Sequence, residues 1–258
     1  MAGKISQPEN FPKRFMFLGA SGRVGQFMRR VWSVEPEVNL HVDWQFRTAQ
    51  PVGVDTFIWP DLAELDPFFA HVNSVGGLDG MYVFLGASQA GDKTCTAQMA
   101  PNVSLVDQAL RAAVAAKIPR VLVASSSAVY GGGHGRPFRE DDALEPVNAY
   151  GKAKKDMEAL CRRYAAKYGI EICLLRIGNV AGADALLGTA AKWRIGDPPR
   201  TLDVFPDGDG PRRSYIGPCT LARVLKSLAL RPAPLPPLVN VATPTRGSMN
   251  ALLDAAGL

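Results

Sequence analysis

The chain has 258 residues, 47% hydrophobic and 21% charged, enough for one well-buried domain with a small lobe. Its net charge of +5 comes from scattered basic pairs at 29–30, 162–163 and 212–213, with no aromatic-interleaved basic stripe. That argues against nucleic acid and fits an anionic substrate or cofactor. The absence of any apolar run of about 18 residues predicts no membrane span; the start MAGKISQPENFPKR lacks a secretory apolar core, and the widely spaced Cys95, Cys161, Cys173 and Cys219 contain no CxxC. Together these predict reduced thiols in a cytoplasmic protein. His41, His71 and His134 show no ligand spacing, so no metal site is expected.

Strands and helices alternate along the chain. RFMFLGA (14–20) reads as a buried strand, GRVGQFMRRVWSV as an amphipathic helix and NLHVDWQF (39–46) as a second strand. DLAELDPFFAHV (61–72) has helical character with Pro67 as a potential divider, and GMYVFLGAS (80–88) is another buried strand. PNVSLVDQALRAAVAAK (101–117) is a long helix with Pro at its start, followed by the strand RVLVASSS (120–127). The helix at 148–169 ends on a glycine and leads to the strand IEICLLRIG (170–178). This alternation predicts right-handed βαβ units: an α/β fold, a Rossmann-type doubly wound parallel sheet with ligands at the carboxyl ends of its strands. Residues 12–180 form the predicted dinucleotide-binding domain. Residues 181–258, rich in Pro, Gly and charge, form a small substrate lobe with a helix at 220–230, a short strand VNVA and a last helix.

The segment GASGRVG sets Gly19, Gly22 and Gly25 between the first strand and the first helix, with Ser21, Arg23 and Val24 among them. Gly19 permits a tight turn, Gly22 lets a pyrophosphate approach the backbone, and Gly25 allows close packing of the helix. The helix N-terminus adds free N–H groups and partial positive charge, so this is a candidate dinucleotide phosphate loop. The GxxGxxG spacing resembles the short-chain dehydrogenase/reductase superfamily, in its extended epimerase/dehydratase branch, which includes UDP-glucose 4-epimerases. The resemblance implies NAD(P) as cofactor. It also implies cofactor contacts at Asp61 and Leu62 of PDL, at Leu85, Gly86 and Ala87 of LGAS, and at Asn102. Asp43 lies inside the second strand while Arg47 stands at its end. Arg47 and Arg23 would suit a 2′-phosphate, which favours NADP(H) over NAD(H).

Tyr150 is the one tyrosine with a lysine four residues on, Lys154, which a helix places on the same face. Serines at 125–127 end the strand 24 residues upstream of it. A strand-end serine followed by Tyr-x-x-x-Lys resembles the catalytic signature of the same superfamily. The resemblance implies Ser126, with Ser127 as the alternative, acting with Tyr150 and Lys154. An ammonium beside a phenol stabilises the phenolate and is expected to lower the tyrosine pKa. The resemblance further implies substrate contacts from Asn179 of LLRIGNVAG and from Arg213 and Tyr215 of GPRRSYIGP, and a homodimer through the helices at 101–117 and 148–168.

The chain is shorter than the usual members of this branch, so either it is truncated or its substrate is smaller than a full nucleotide sugar. The expected activity is NAD(P)-dependent epimerisation or dehydration of a nucleotide sugar, two reactions this pattern does not separate. An NADPH carbonyl reductase and a non-catalytic dinucleotide-sensing regulator are the alternatives.

Overall fold

The computed structural model describes residues 12–34, 39–49, 55–86, 99–133, 135–184, 186–190, 205–206, 210–244 and 246–257. Seven strands hydrogen-bond in parallel into one sheet of order β3-β2-β1-β4-β5-β6-β9. They are β1 (Lys13–Leu18), β2 (Leu40–Phe46), β3 (Thr56–Ile58), β4 (Gly80–Val83), β5 (Arg120–Ser126), β6 (Glu171–Ile177) and β9 (Leu238–Val241). The order reverses direction between β1 and β4, so the crevice of a doubly wound sheet opens beyond the carboxyl ends of those two strands.

Side-chain alternation along the strands builds two cores. From β1, Met16 and Leu18 point to one face, where α2 (Leu65–Ser74), α3 (Pro101–Ala115) and α4 (Ala149–Tyr168) cover them with Phe68, Val106, Leu110 and Met157. Phe15 and Phe17 point to the other face and meet Met28 and Trp32 of α1 (Arg23–Val34) and Leu221 and Leu225 of α6 (Pro218–Ala229). Burial of apolar area on both faces is the main stabilising term. It also explains why these strands read as continuous apolar runs.

Several details depart from the sequence expectations. Helix α2 starts at Leu65, because Asp61 instead closes a turn in which its Oδ1 accepts from the Ala63 N–H at 2.9 Å. Pro67 then falls in the first turn of α2, where a missing N–H breaks no helical bond, so it does not divide the helix. The short strand β3 was not anticipated. The Pro- and Gly-rich lobe contributes β8 (Arg212–Ile216) and β10 (Arg246–Ser248), two strands not expected from the sequence, which with β7 (Asn179–Val180) form a second sheet of order β10-β8-β7. The expected VNVA strand is β9, which pairs with β6 inside the main sheet. Short helices α5 (Leu187–Ala190) and α7 (Met249–Ala255) complete the described elements. Among the described residues no helix is long and apolar enough to cross a membrane.

A buried charge cluster lies towards the amino ends of β1 and β2. Asp43, 1% exposed, accepts both prongs of the Arg14 guanidinium at 2.8 and 2.9 Å and pairs with His71 at 3.0 Å. His41 Nε2 lies 3.3 Å from Asp43 and 3.2 Å from Asp55. Burial alone would raise the Asp43 pKa; the hydrogen bonds of His71 and Arg14 outweigh it and hold the carboxyl at about 2. A depressed carboxylate pKa contributes stability that is present above the unfolded value and is lost as pH falls through about 2. Asp43→Asn should therefore cost about 2 kcal/mol at pH 7. Denaturant unfolding of both proteins at pH 7 and at pH 2 checks this, with the gap closing at the lower pH.

Candidate active site

The glycine turn joins β1 to α1 at the reversal of the sheet. Gly19 has φ 91°, and a Cβ there would lie 2.4 Å from the Phe84 carbonyl oxygen, so a side chain is excluded twice over. A Cβ on Gly25 would lie 2.4 Å from the Gly19 oxygen, so Gly25 packs the first turn of α1 against the glycine turn itself. Ser21, Gly22 and Arg23 are exposed, Val24 is half-buried, and the first turn of α1 carries no acidic residue. Free helix N–H groups without a competing carboxylate fit an anionic phosphate.

Around that turn the predicted cofactor residues fall in different settings. Gly86 abuts the buried Asn102 at the start of α3, whose Nδ2 donates to the Met99 carbonyl at 3.1 Å. Leu85 is half-buried beside them, and Ala87 lies outside the described residues. Asp61 is exposed, whereas the Leu62 side chain is buried in the core under α2. Arg47 is exposed at the end of β2, and the Arg29 guanidinium sits 4.8 Å over the Phe46 ring next to it. Arg23 does not join this pair: it donates to the carbonyls of Ala183 and Asp184 at 3.3 and 3.2 Å. Asp43, bonded to Arg14 and His71, is committed elsewhere.

Ser126, Tyr150 and Lys154 converge at the carboxyl end of β5. Ser126 caps the 3-10 turn Ser127–Val129 by accepting from the Ala128 N–H at 3.2 Å, and its hydroxyl lies near enough to the Tyr150 phenol to pull that group's pKa down. Ser127 is exposed at the start of that turn, and Ser125 points away to the buried Glu158. Geometry thus separates three adjacent serines that look alike in the sequence. Helix α4 is started by Asn148, whose Oδ1 accepts from the Gly151 N–H at 2.8 Å, which puts Tyr150 in the first turn.

Lys154, 4% exposed, donates to the Ala124 carbonyl at 2.9 Å, with its Nζ 5.9 Å from the Tyr150 ring centroid. Burial pushes its pKa down to about 8, opposed by charge at Cys161 and Glu158. Burial drives the Cys161 thiol up to about 12, which leaves it neutral at pH 7 and makes Glu158 the opposing charge there. The Tyr150 pKa departs from expectation. Burial raises it, and the nearby Ser126 hydroxyl only partly opposes the rise. In the protein alone the desolvation of the phenolate is the dominant cause, and the rise is opposite to what the Tyr-x-x-x-Lys spacing predicts.

The small sheet brings a second group to the same edge. Ser126 is level with Ile177 in the β5–β6 register, and Asn179 follows two residues on, paired with Tyr215 of β8. Asn179 is half-buried and Arg213 is exposed. Tyr215 is 7% exposed, and its hydroxyl has no hydrogen-bond partner among the described residues.

A parallel doubly wound sheet whose first strand ends in a glycine turn against a helix N-terminus defines a Rossmann-type α/β protein. The NAD dependent epimerase/dehydratase family matches residues 16–192, and the chain belongs to that family. A UDP-glucose 4-epimerase from Azospirillum brasilense is 41% identical over 75 residues, 29% of this chain and 22% of the relative. An uncharacterized UDP-glucose epimerase from Bacillus subtilis is 32% identical over 125 residues, 46% of this chain and 39% of the relative. The matched stretches therefore span well under half of these relatives. The crystal structure of a UDP-glucose 4-epimerase from Brucella ovis in complex with NAD superposes with TM-score 0.75 at 21% identity, covering 95% of this chain and 82% of that one. At that identity the likeness is one of fold.

Two features of the site escaped the sequence reading. Arg29 announced itself only by being one turn past the glycine loop. The Ser125–Glu158–Arg176 network had a signal: Glu158 lies four residues past Lys154, and Arg176 interrupts an apolar strand, where a charge requires a partner.

Proposed function

We propose that the chain is an NAD(P)-dependent epimerase of a nucleoside-diphosphate sugar. The observation that carries this reading is the placing of Tyr150 beside Ser126 at the carboxyl end of β5, with Lys154, one helical turn on, donating to the Ala124 carbonyl at 2.9 Å. The names of the family's UDP-sugar epimerases support the substrate class. The glycine turn, with Ser21, Gly22 and Val24, would hold the pyrophosphate, and Asp61, Leu85, Gly86 and Asn102 would line the rest of the dinucleotide, with Leu62 offering only its backbone. When bound, the nicotinamide supplies the acceptor and donor of hydride. Un-ionised in the protein alone, the Tyr150 phenol must first give up its own proton; as a phenolate stabilised by the Lys154 ammonium it would take the proton of a sugar hydroxyl whose oxygen Ser126 holds beside it. Asn179 faces the sugar side. Arg213 suits the diphosphate through its planar donor fork, and the buried, unpartnered Tyr215 hydroxyl supports a polar ligand atom there.

Epimerisation is favoured over dehydration because elimination needs an added acid and base. The turn after Ser126, Ser127–Val129, contains no carboxylate. In the acidic loop beyond it Asp142 is held by Arg136 at 2.6 and 2.8 Å, and Glu140 accepts from the Asn240 N–H at 2.7 Å. NMR of UDP-hexoses incubated with the protein and each cofactor tests the reading. Interconversion of epimers without net cofactor turnover is expected; consumption of NADPH by simple ketones with no epimer formed would replace it with a carbonyl reductase.

The finer reading is a preference for NADP(H). Residues 47–54 carry no acid to hold a ribose hydroxyl, Arg47 stands exposed just past β2, and Arg29 lies over the ring of Phe46, the last residue of β2. A charge-assisted hydrogen bond is worth about 1.5–3 kcal/mol, so Arg47→Asp should weaken NADP+ binding roughly 10- to 100-fold and spare NAD+. Calorimetric titration of both cofactors decides it, and tighter NAD+ binding by the unmodified protein would reverse the preference.

A further inference from the structure

Three successive turns of α4 grip three successive residues of β5. Tyr150 lies beside Ser126, Lys154 Nζ donates to the Ala124 carbonyl at 2.9 Å, and Glu158 Oε1 accepts from the Ser125 hydroxyl at 2.7 Å. The last rung is the firmest. Glu158 is fully buried and accepts from Arg176 at 2.9 Å on one oxygen and 2.8 Å on the other, while Arg162 adds a bond of 2.9 Å. Arg176 is itself fixed: it donates to the Tyr130 phenol at 2.8 Å and the Glu140 carbonyl at 3.1 Å, with its guanidinium 4.7 Å over the Tyr130 ring. The Tyr130 phenol goes on to Asn240 of β9 at 2.6 Å. Buried ion pairs of this kind rarely add net stability over apolar replacements, so their use lies in fixing a geometry.

We infer that Glu158, clamped by Arg176, is a positioning residue that fixes the slide of α4 along β5 so that Tyr150 meets Ser126. This rests on the proposed epimerase reading for its kinetic consequence. Geometric misplacement of a reacting group costs rate more than affinity. Glu158 and Arg176 touch none of the site residues' reacting atoms; Glu158 acts through Ser125 and the helix and also through its charge on Lys154, which Ser125→Ala leaves in place, so the positioning role is read on Ser125→Ala.

The test is the double variant Glu158→Leu with Arg176→Met, which removes both charges at similar volume and is expected to keep its fold. Its kcat should fall at least tenfold with KM within twofold and Tm no lower than that of the unmodified protein. Ser125→Ala, which deletes one hydroxyl and leaves the ion pair, reads the positioning alone, and its kcat should fall in the same direction. Amide hydrogen exchange along residues 153–158 of Ser125→Ala reads the grip without turnover and should rise about tenfold while Tm stays constant. Unchanged kcat in folded Ser125→Ala together with unchanged exchange overturns the inference. Should the unmodified protein turn over no nucleotide sugar, the functional reading fails by itself, and the exchange measurement still decides the positioning role.

Discussion

Tyr150→Phe is expected to lower turnover by about three orders of magnitude, within the range for loss of a general acid–base group, while leaving dinucleotide affinity within about twofold. The ring stays in place in the first turn of α4, so packing is preserved. What is lost is the hydroxyl beside Ser126. Because burial raises the Tyr150 pKa, the phenol is un-ionised in the protein alone, and nothing charged is removed from the resting state. Steady-state epimerisation and a cofactor titration on the same preparation check both halves. Turnover within tenfold of the unmodified protein would mean that another group moves the proton.

Lys154→Met carries the opposite signs for activity and stability. Turnover should collapse, since no ammonium remains to stabilise the phenolate, yet the folded protein should gain stability at pH 7. The Lys154 pKa lies at about 8, below its ordinary value of 10.5, so the unfolded chain binds more protons between those values. Stability of the unmodified protein therefore rises with pH through that window, and at pH 7 the buried charge costs about 3 kcal/mol. The lost bond to the Ala124 carbonyl returns about 1 kcal/mol. The net gain of about 2 kcal/mol corresponds to a Tm increase of roughly 4–8 °C. Thermal melts at pH 7 and pH 10 should show the gap narrowing at the higher pH. A lower Tm at pH 7 would mean that the bond to Ala124 outweighs desolvation.

What could be read in advance was short-range. The glycine turn, the buried alternation of β1 and the Tyr150–Lys154 spacing depend on residues within a turn or a strand of one another, where chain geometry dictates the neighbours. Interactions that depend on distant pairing were hidden. Arg212 and Arg213 read as one more scattered basic pair, but they lie in β8, which is a strand because β7, 36 residues back, and β10, 32 to 36 residues on, flank it. Leu62 fits an aliphatic wall beside a ligand by its motif, yet its side chain is drawn into the core beneath. Arg23 reads as a phosphate ligand until the carbonyls of Ala183 and Asp184, 160 residues on, are found to hold it. The pKa of Tyr150 was misjudged because helical spacing reports a neighbouring charge but not how far water is excluded.

The seventh strand has a consequence for synthesis and handling. β9 covers the hydrogen-bonding edge of β6, and Val241 joins Leu221 and Leu225 over the same apolar face. Until residue 241 has left the ribosome, β6 presents an open strand edge rich in apolar side chains, which is a template for pairing with other chains. A fragment ending near residue 180 keeps the glycine turn and the Ser126–Tyr150–Lys154 group, and it should nonetheless accumulate as insoluble aggregate.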